Sequence, residues 1–255
     1  MDTTSAAKAT KYNCTFPAMI AAWRNAWSVG TAGQTDPQFA FGFVQLSVWG
    51  DPHDPPTPGE YVAQVRWGQT ADKGFVPNER LPNVFMATAV DLGAFMGGCG
   101  HDTFPSLCIH PGFKQEVGRR LSLGAADLVL NDKSVYWTGP IFESAQTTGP
   151  IGARDLVVDF SASSVPGGKL ELRNTTGFEI SKGTSAAPAW LKVPIISSSG
   201  TRVTLGLPHT GDWHDATLVR YLWSQNPCSH PHYEPGNCSI YAGGLPATPF
   251  IHEFN

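Results

Sequence analysis

Between Pro82 and Asp91 lies an uninterrupted apolar run, Val84-Phe-Met-Ala-Thr-Ala-Val90, with no charge in it. A run of this length with no polar face reads as a strand covered on both sides, the kind found in parallel sheets. About twenty residues later comes Cys108-Ile-His-Pro-Gly-Phe-Lys-Gln-Glu-Val-Gly-Arg-Arg-Leu121. Pro111 suits the first position of a helix, where its missing N–H would lack a partner anyway. Phe113, Val117 and Leu121 then repeat at i, i+4 and i+8 and give that helix an apolar stripe. His110 is thereby placed on a strand-to-helix connection, at the rim where open α/β sheets bind ligands.

The segments before this unit alternate in the same way. Phe16 to Trp27 predicts an amphipathic helix, with Thr15 as cap, Pro17 in the first turn, and Met19, Ile20, Trp23 and Trp27 on the sheet-facing side. Phe39 to Val48 predicts a strand, and Tyr61 to Ala71 a helix. Helix, strand, helix, strand, helix is the α/β alternation. It contains only two clear strands, fewer than a parallel sheet needs. Near Asp127 the helical period stops. Short pieces separated by turn residues follow: Asp155–Phe160, Lys169–Leu172, Phe178–Ile180, Leu191–Ile196, Arg202–Leu207 and Thr217–Trp223. Several short strands punctuated by Gly, Pro and Ser predict a β-sandwich. The expected division is residues 1–128, a partial α/β domain, and residues 129–255, a β-sandwich domain.

Composition narrows the partners. The 255 residues carry a net charge of −4 and no basic run, which argues against nucleic acid and anionic membranes as partners. Charged residues are 15%, below the usual ~25%, and the chain holds 27 Gly, 21 Pro and 8 Trp, a loop-rich extracellular texture. No span of membrane length is expected. The opening Met1-Asp-Thr-Thr-Ser-Ala-Ala-Lys8 has no apolar core of the signal-peptide kind. Of five cysteines, Cys228 and Cys238 flank a turn-rich loop and are expected to form a disulfide; the odd count left by Cys14, Cys99 and Cys108 leaves at least one unpaired within the chain. Sequons at Asn13, Asn174 and Asn237 predict glycosylation in a secretory compartment.

For chemistry, His110 is the main candidate. On its loop it is either a general base or a residue that merely finishes the helix start. Asp91 at the strand end and Asp102 in the loop are the carboxylates able to orient it. Cys108, two residues earlier, raises a Cys/His alternative. Arg66 and Gln69, on one helix, either line a substrate pocket or bind loop carbonyls. Of the other histidines, which include His209 and His214, the pair in His230-Pro-His232 has no companion cluster and reads as a solvated loop; no cofactor is expected.

Several segments together carry a family resemblance. They are Asn13-Cys-Thr-Phe-Pro-Ala-Met-Ile-Ala-Ala-Trp-Arg24, Val65-Arg-Trp-Gly-Gln-Thr-Ala-Asp72, Pro82 to Leu92, Ile109 to Leu121, Leu218 to Cys228, and Gly244-Leu-Pro-Ala-Thr-Pro-Phe250. In this order they resemble the sialate O-acetylesterases, SGNH-type serine esterases of the lysosome and secretory path that remove O-acetyl groups from sialic acids. The resemblance implies the C-terminal half of an SGNH-like three-layer α/β/α domain followed by a β-sandwich. It also implies that His110 is the catalytic histidine. The family's Gly-Gln-Ser-Asn nucleophile block and its Trp-Tyr-Gln-Gly-Glu block do not occur in these 255 residues. Cys108 stands where bacterial relatives often have an aspartate. The expectation is a portion inactive alone, completed by an N-terminal half of the same enzyme. The alternative is a non-catalytic carbohydrate-binding or interaction protein derived from an esterase.

Overall fold

The structure is a computed structural model that describes residues 6–49, 60–93, 109–150, 153–183, 189–208, 213–228 and 237–254. The described residues form a mixed α/β fold with one parallel strand pair and three antiparallel sheets. Its helices are α1 (Ala6–Thr10), α2 (Tyr12–Gly30), α3 (Tyr61–Gly68) and α4 (Lys114–Leu128). No helix among the described residues is long and apolar enough to cross a membrane.

Strands β1 (Phe41–Gln45) and β2 (Val84–Thr88) pair in parallel, Phe41 opposite Val84 and Gln45 opposite Thr88. Every residue from Val84 to Val90 is buried, whereas β1 is only partly covered and Gly42 is exposed. Successive residues point to opposite faces. On one face Phe43, Val84 and Met86 meet Phe16 and Ile20 of α2. On the other, Val44, Ala89 and Leu92 meet Phe113, Val117 and Leu121 of the α4 segment. The Phe85 ring lies so close to Gly42 and Gly124 that a β-carbon at either position would collide with it.

Helix α2 differs from expectation in two ways. It starts at Tyr12, so Pro17 falls inside it. Proline cannot return a hydrogen bond to the carbonyl four residues back, and Arg80 Nη2 supplies one to the Asn13 carbonyl instead, at 3.0 Å. The sheet-facing stripe is Phe16, Ile20 and Arg24; Trp23 and Trp27 are 51% and 61% exposed. Arg24 already sits level with the strand starts, bonded to the carbonyls of Phe39, Pro82 and Asn83. Trp27, nearly one turn further on, has no sheet beneath it. Helix α4 begins at Lys114, three residues after Pro111, following a tight turn in which Lys114 N–H meets the Gly112 carbonyl at 2.8 Å.

Beyond residue 141 the described elements are β3 (Phe142–Thr148), β4 (Asp155–Phe160), β5 (Glu171–Leu172), β6 (Phe178–Ser181), β7 (Leu191–Val193), β8 (Ile195–Ser199), β9 (Arg202–Leu205), β10 (Leu218–Tyr221), β11 (Ile240–Ala242), β12 (Leu245–Pro246) and β13 (Phe250–Glu253). They form sheets in the orders β3-β4-β9-β8, β13-β10-β6-β7 and β12-β11-β5, antiparallel throughout. Pro194, unable to donate to a ladder, divides the expected Leu191–Ile196 strand into β7 and β8. All three sheets bury side chains in one core, among them Val158, Phe160, Phe178, Val219, Tyr221, Ile240 and Phe250. Val90, at the exit of β2, belongs to that same core, and Trp67 of α3 packs on it. Cys228 and Cys238 are joined as expected, with Cα atoms 4.6 Å apart.

Candidate functional site

The site is assembled at the carboxyl ends of β1 and β2. Two side chains grip the chain as it leaves β1. Arg66, fully buried on α3, donates from Nε to the Leu46 carbonyl at 2.8 Å and from Nη2 to the Ser47 carbonyl at 2.7 Å. It also reaches the Ser224 and Gln225 carbonyls of the β region, at 2.8 and 2.9 Å. Gln69 accepts from Leu46 N–H at 2.9 Å and donates to the Val44 carbonyl at 3.0 Å. Of the two roles open to this pair from the sequence, the contacts are those with carbonyls. The physical reason is the end of the ladder: peptide groups past the last strand residue still need partners when buried. Burial pushes the Arg66 guanidinium down to about 9, which leaves it a cation at neutral pH.

At the exit of β2 the arrangement is ionic. Asp91, 1% exposed, receives Arg120 Nη1 on Oδ1 at 2.6 Å and Nη2 on Oδ2 at 2.8 Å. Arg120 also donates to the Thr88 carbonyl at 2.6 Å and to Glu116 at 2.8 Å. Burial pulls the Arg120 guanidinium down, but Asp91 and Glu116 together outweigh it, and the net direction is upward. A third donor arrives from the β region: the Tyr241 hydroxyl meets Asp91 Oδ2 at 3.1 Å. Burial first, and then the Asp91 charge, push that hydroxyl far above the usual tyrosine range, so it remains a donor. The Arg173 guanidinium lies over the Tyr241 ring, 3.5 Å from its centroid. Both Asp91 oxygens are therefore occupied within this cluster.

His110 is exposed, on the turn that precedes α4, in the connection leaving β2. Asp102, its other expected partner, lies outside the described residues, as do Cys99, Cys108, His209, His230 and His232. Asn13 sits within α2 and its side-chain amide donates to Asp72. Asn174 donates to the Asn237 carbonyl at 2.7 Å and receives the Thr176 hydroxyl at 2.8 Å. Asn237 precedes the half-cystine Cys238.

Sequence reasoning singled out Arg66, Gln69 and Asp91 but not Arg120 or Tyr241. For Arg120 a signal existed: it lies three residues beyond Val117, on the stripe that faces the sheet. For Tyr241, 150 residues from Asp91 in sequence, there was none.

Residues 147–254 match the family model described as sialate O-acetylesterase C-terminal domain. The chain is similar to the sialate O-acetylesterase of Homo sapiens, 36% identical over 244 residues. It is 34% identical to that of Mus musculus over 247 residues. These alignments take in 94% and 96% of the chain but only 42% and 41% of the relatives, so the chain spans about two fifths of their length.

Proposed function

The chain corresponds to the C-terminal portion of the sialate O-acetylesterase family, and on that premise we propose that it carries the histidine half of a serine-esterase site acting on O-acetyl esters of sialic acids. The observation that carries this reading is His110, exposed on the connection that leaves a fully buried parallel strand at its carboxyl end. In the complete enzyme a serine from the upstream portion attacks the acetyl carbonyl. His110 takes the serine proton and returns it to the departing sugar oxygen; it then activates water against the acyl-enzyme. Asp102 is the acid we assign to orient it. The engagement of Asp91 by Arg120 and Tyr241 supports that choice over Asp91. Arg66 and Gln69 hold the β1 exit in shape rather than face the sugar.

A helix on each face of β1 and β2 supports an SGNH-like α/β/α layering for residues 1–128, with a β-sandwich over 129–255. The less covered β1 is the strand against which the rest of that sheet would lie. Lysosomal or secreted location, with sugars on Asn13, Asn174 and Asn237, goes with the disulfide between Cys228 and Cys238.

The test is a chimera in which the upstream portion of the Mus musculus relative precedes this chain, assayed on an O-acetylated sialic acid. His110→Ala is expected to lower kcat by about 10³-fold or more. Asp102→Asn is expected to fall well below Asp91→Asn in kcat when both are compared as folded protein. Unchanged turnover in His110→Ala would remove the reading.

A further inference from the structure

We propose that Tyr241 is a positioning residue, through which the β region fixes the base of the connection that carries His110. Asp91 and Arg120 are 29 residues apart in sequence, and their two-pronged pair ties the exit of β2 to the second turn of α4, on the two sides of that connection. Arg120 is tied at the same time to the Thr88 carbonyl and to Glu116 on its own helix. The base of the loop is thus fixed to the strand and to the helix.

Tyr241 links this base to the β region by its hydroxyl on Asp91 Oδ2. Charge does not require it, because Arg120 already neutralises Asp91. Its contribution is position: a third donor, from outside the strand and the helix, ties the carboxylate to the β region. The tyrosine is itself held from several sides. Arg173 covers its ring at 3.5 Å from the centroid, and the Cys238 N–H reaches its hydroxyl at 3.4 Å. Cys238 is bridged to Cys228, and Ser224 and Gln225, which Arg66 grips, lie just upstream of that half-cystine. One disulfide therefore stands behind these contacts of the β region with the ends of β1 and β2.

This proposal rests on the reading of His110 as the base, and the experiment reads the histidine's surroundings rather than turnover, so its failure leaves that reading standing. The probe is the purified 255-residue chain, followed by amide hydrogen exchange over residues 109–113 and by the His110 ring resonances. In Tyr241→Phe, exchange in that segment is expected to rise about tenfold and the His110 resonances to shift or split. Tyr221→Phe is the control: it removes hydroxyl contacts to Ser239 and Ile240 inside the β region alone, and both readouts should stay at wild-type values. Wild-type exchange and resonances in Tyr241→Phe, or an equal change in Tyr221→Phe, would overturn the proposal. If Tyr241→Phe does not fold, Arg173→Ala decides. It uncovers the ring without touching the core, and a rise of about threefold in exchange over 109–113 supports the proposal, whereas no change overturns it.

Discussion

The two regions of the molecule bury their peptide groups by different means. In the β region neighbouring strands satisfy one another, and the polar side chains buried with the shared apolar core are mainly hydroxyls, those of Tyr221, Tyr241, Ser181, Ser239 and Thr248 among them. Among the described residues of the α/β region two strands pair, and buried arginines stand at their ends. Arg24 binds carbonyls ahead of both strands, Arg66 those after β1, and Arg120 that of Thr88 at the end of β2. Among the described residues of the β region the only buried arginine is Arg220, which pairs with the partly exposed carboxylates of Glu60 and Glu179. Buried peptide groups beyond the last paired residue have no ladder partner, and a guanidinium with five donors can close several at once. The same devices that satisfy those ends also join the regions, since Arg66 and Asp91 each take a partner from the β side.

Arg120→Met should have the largest effect, because it leaves Asp91 as a buried carboxylate without a cation. Breaking such a pair costs about 3–5 kcal/mol, measured by denaturant unfolding. The double variant with Asp91→Leu should recover part of that loss. No recovery would mean that the arginine acts through packing alone. Next comes the staple of the β region. Cys228→Ser with Cys238→Ser should cost about 2–3 kcal/mol, as expected for a closed loop of this size.

Arg220→Met sharpens the contrast between regions. Its partners keep access to water, so the loss should be about 1 kcal/mol. A loss equal to that of Arg120→Met would erase the distinction drawn here. The smallest effect concerns pH. The bond from Arg119 holds the Glu116 carboxyl below its ordinary value; burial opposes this and Arg120 adds to it. With the folded value below the unfolded one, this contribution is complete at neutral pH and is lost as pH falls below the ordinary 4.5 through the lowered value. Glu116→Gln should therefore flatten the acid limb of the stability curve by less than about 1 kcal/mol, with no change in slope above pH 6.

Legibility in the sequence followed the same contrast. Apolar runs announced β2 and β4, and the spacing of two cysteines around a turn-rich loop announced the disulfide. Strand β3 went unseen because Glu143, Ser144, Gln146 and Thr147 interrupt its apolar pattern. The arginines at the strand ends were hidden for a general reason: periodicity assigns charged residues to the solvent side, and only the position of Arg24 and Arg120 on the buried stripes argued otherwise. Trp27 misled in the opposite sense, since a helix can outrun the sheet it covers, and Trp23, though half exposed, lies against the Phe41 ring of β1. His110 was placed on its strand-to-helix connection from the apolar run and Pro111 alone, although α4 starts three residues late.

The central proposal is that this chain contributes a histidine to an esterase site whose serine lies in another portion of the enzyme. The most direct measurement is acetyl-ester hydrolysis by the purified 255-residue chain. The account predicts no turnover above buffer, since no Gly-Gln-Ser-Asn block occurs among its residues. Robust turnover by the chain alone, abolished in Cys108→Ser, would contradict it and make Cys108 the nucleophile beside His110.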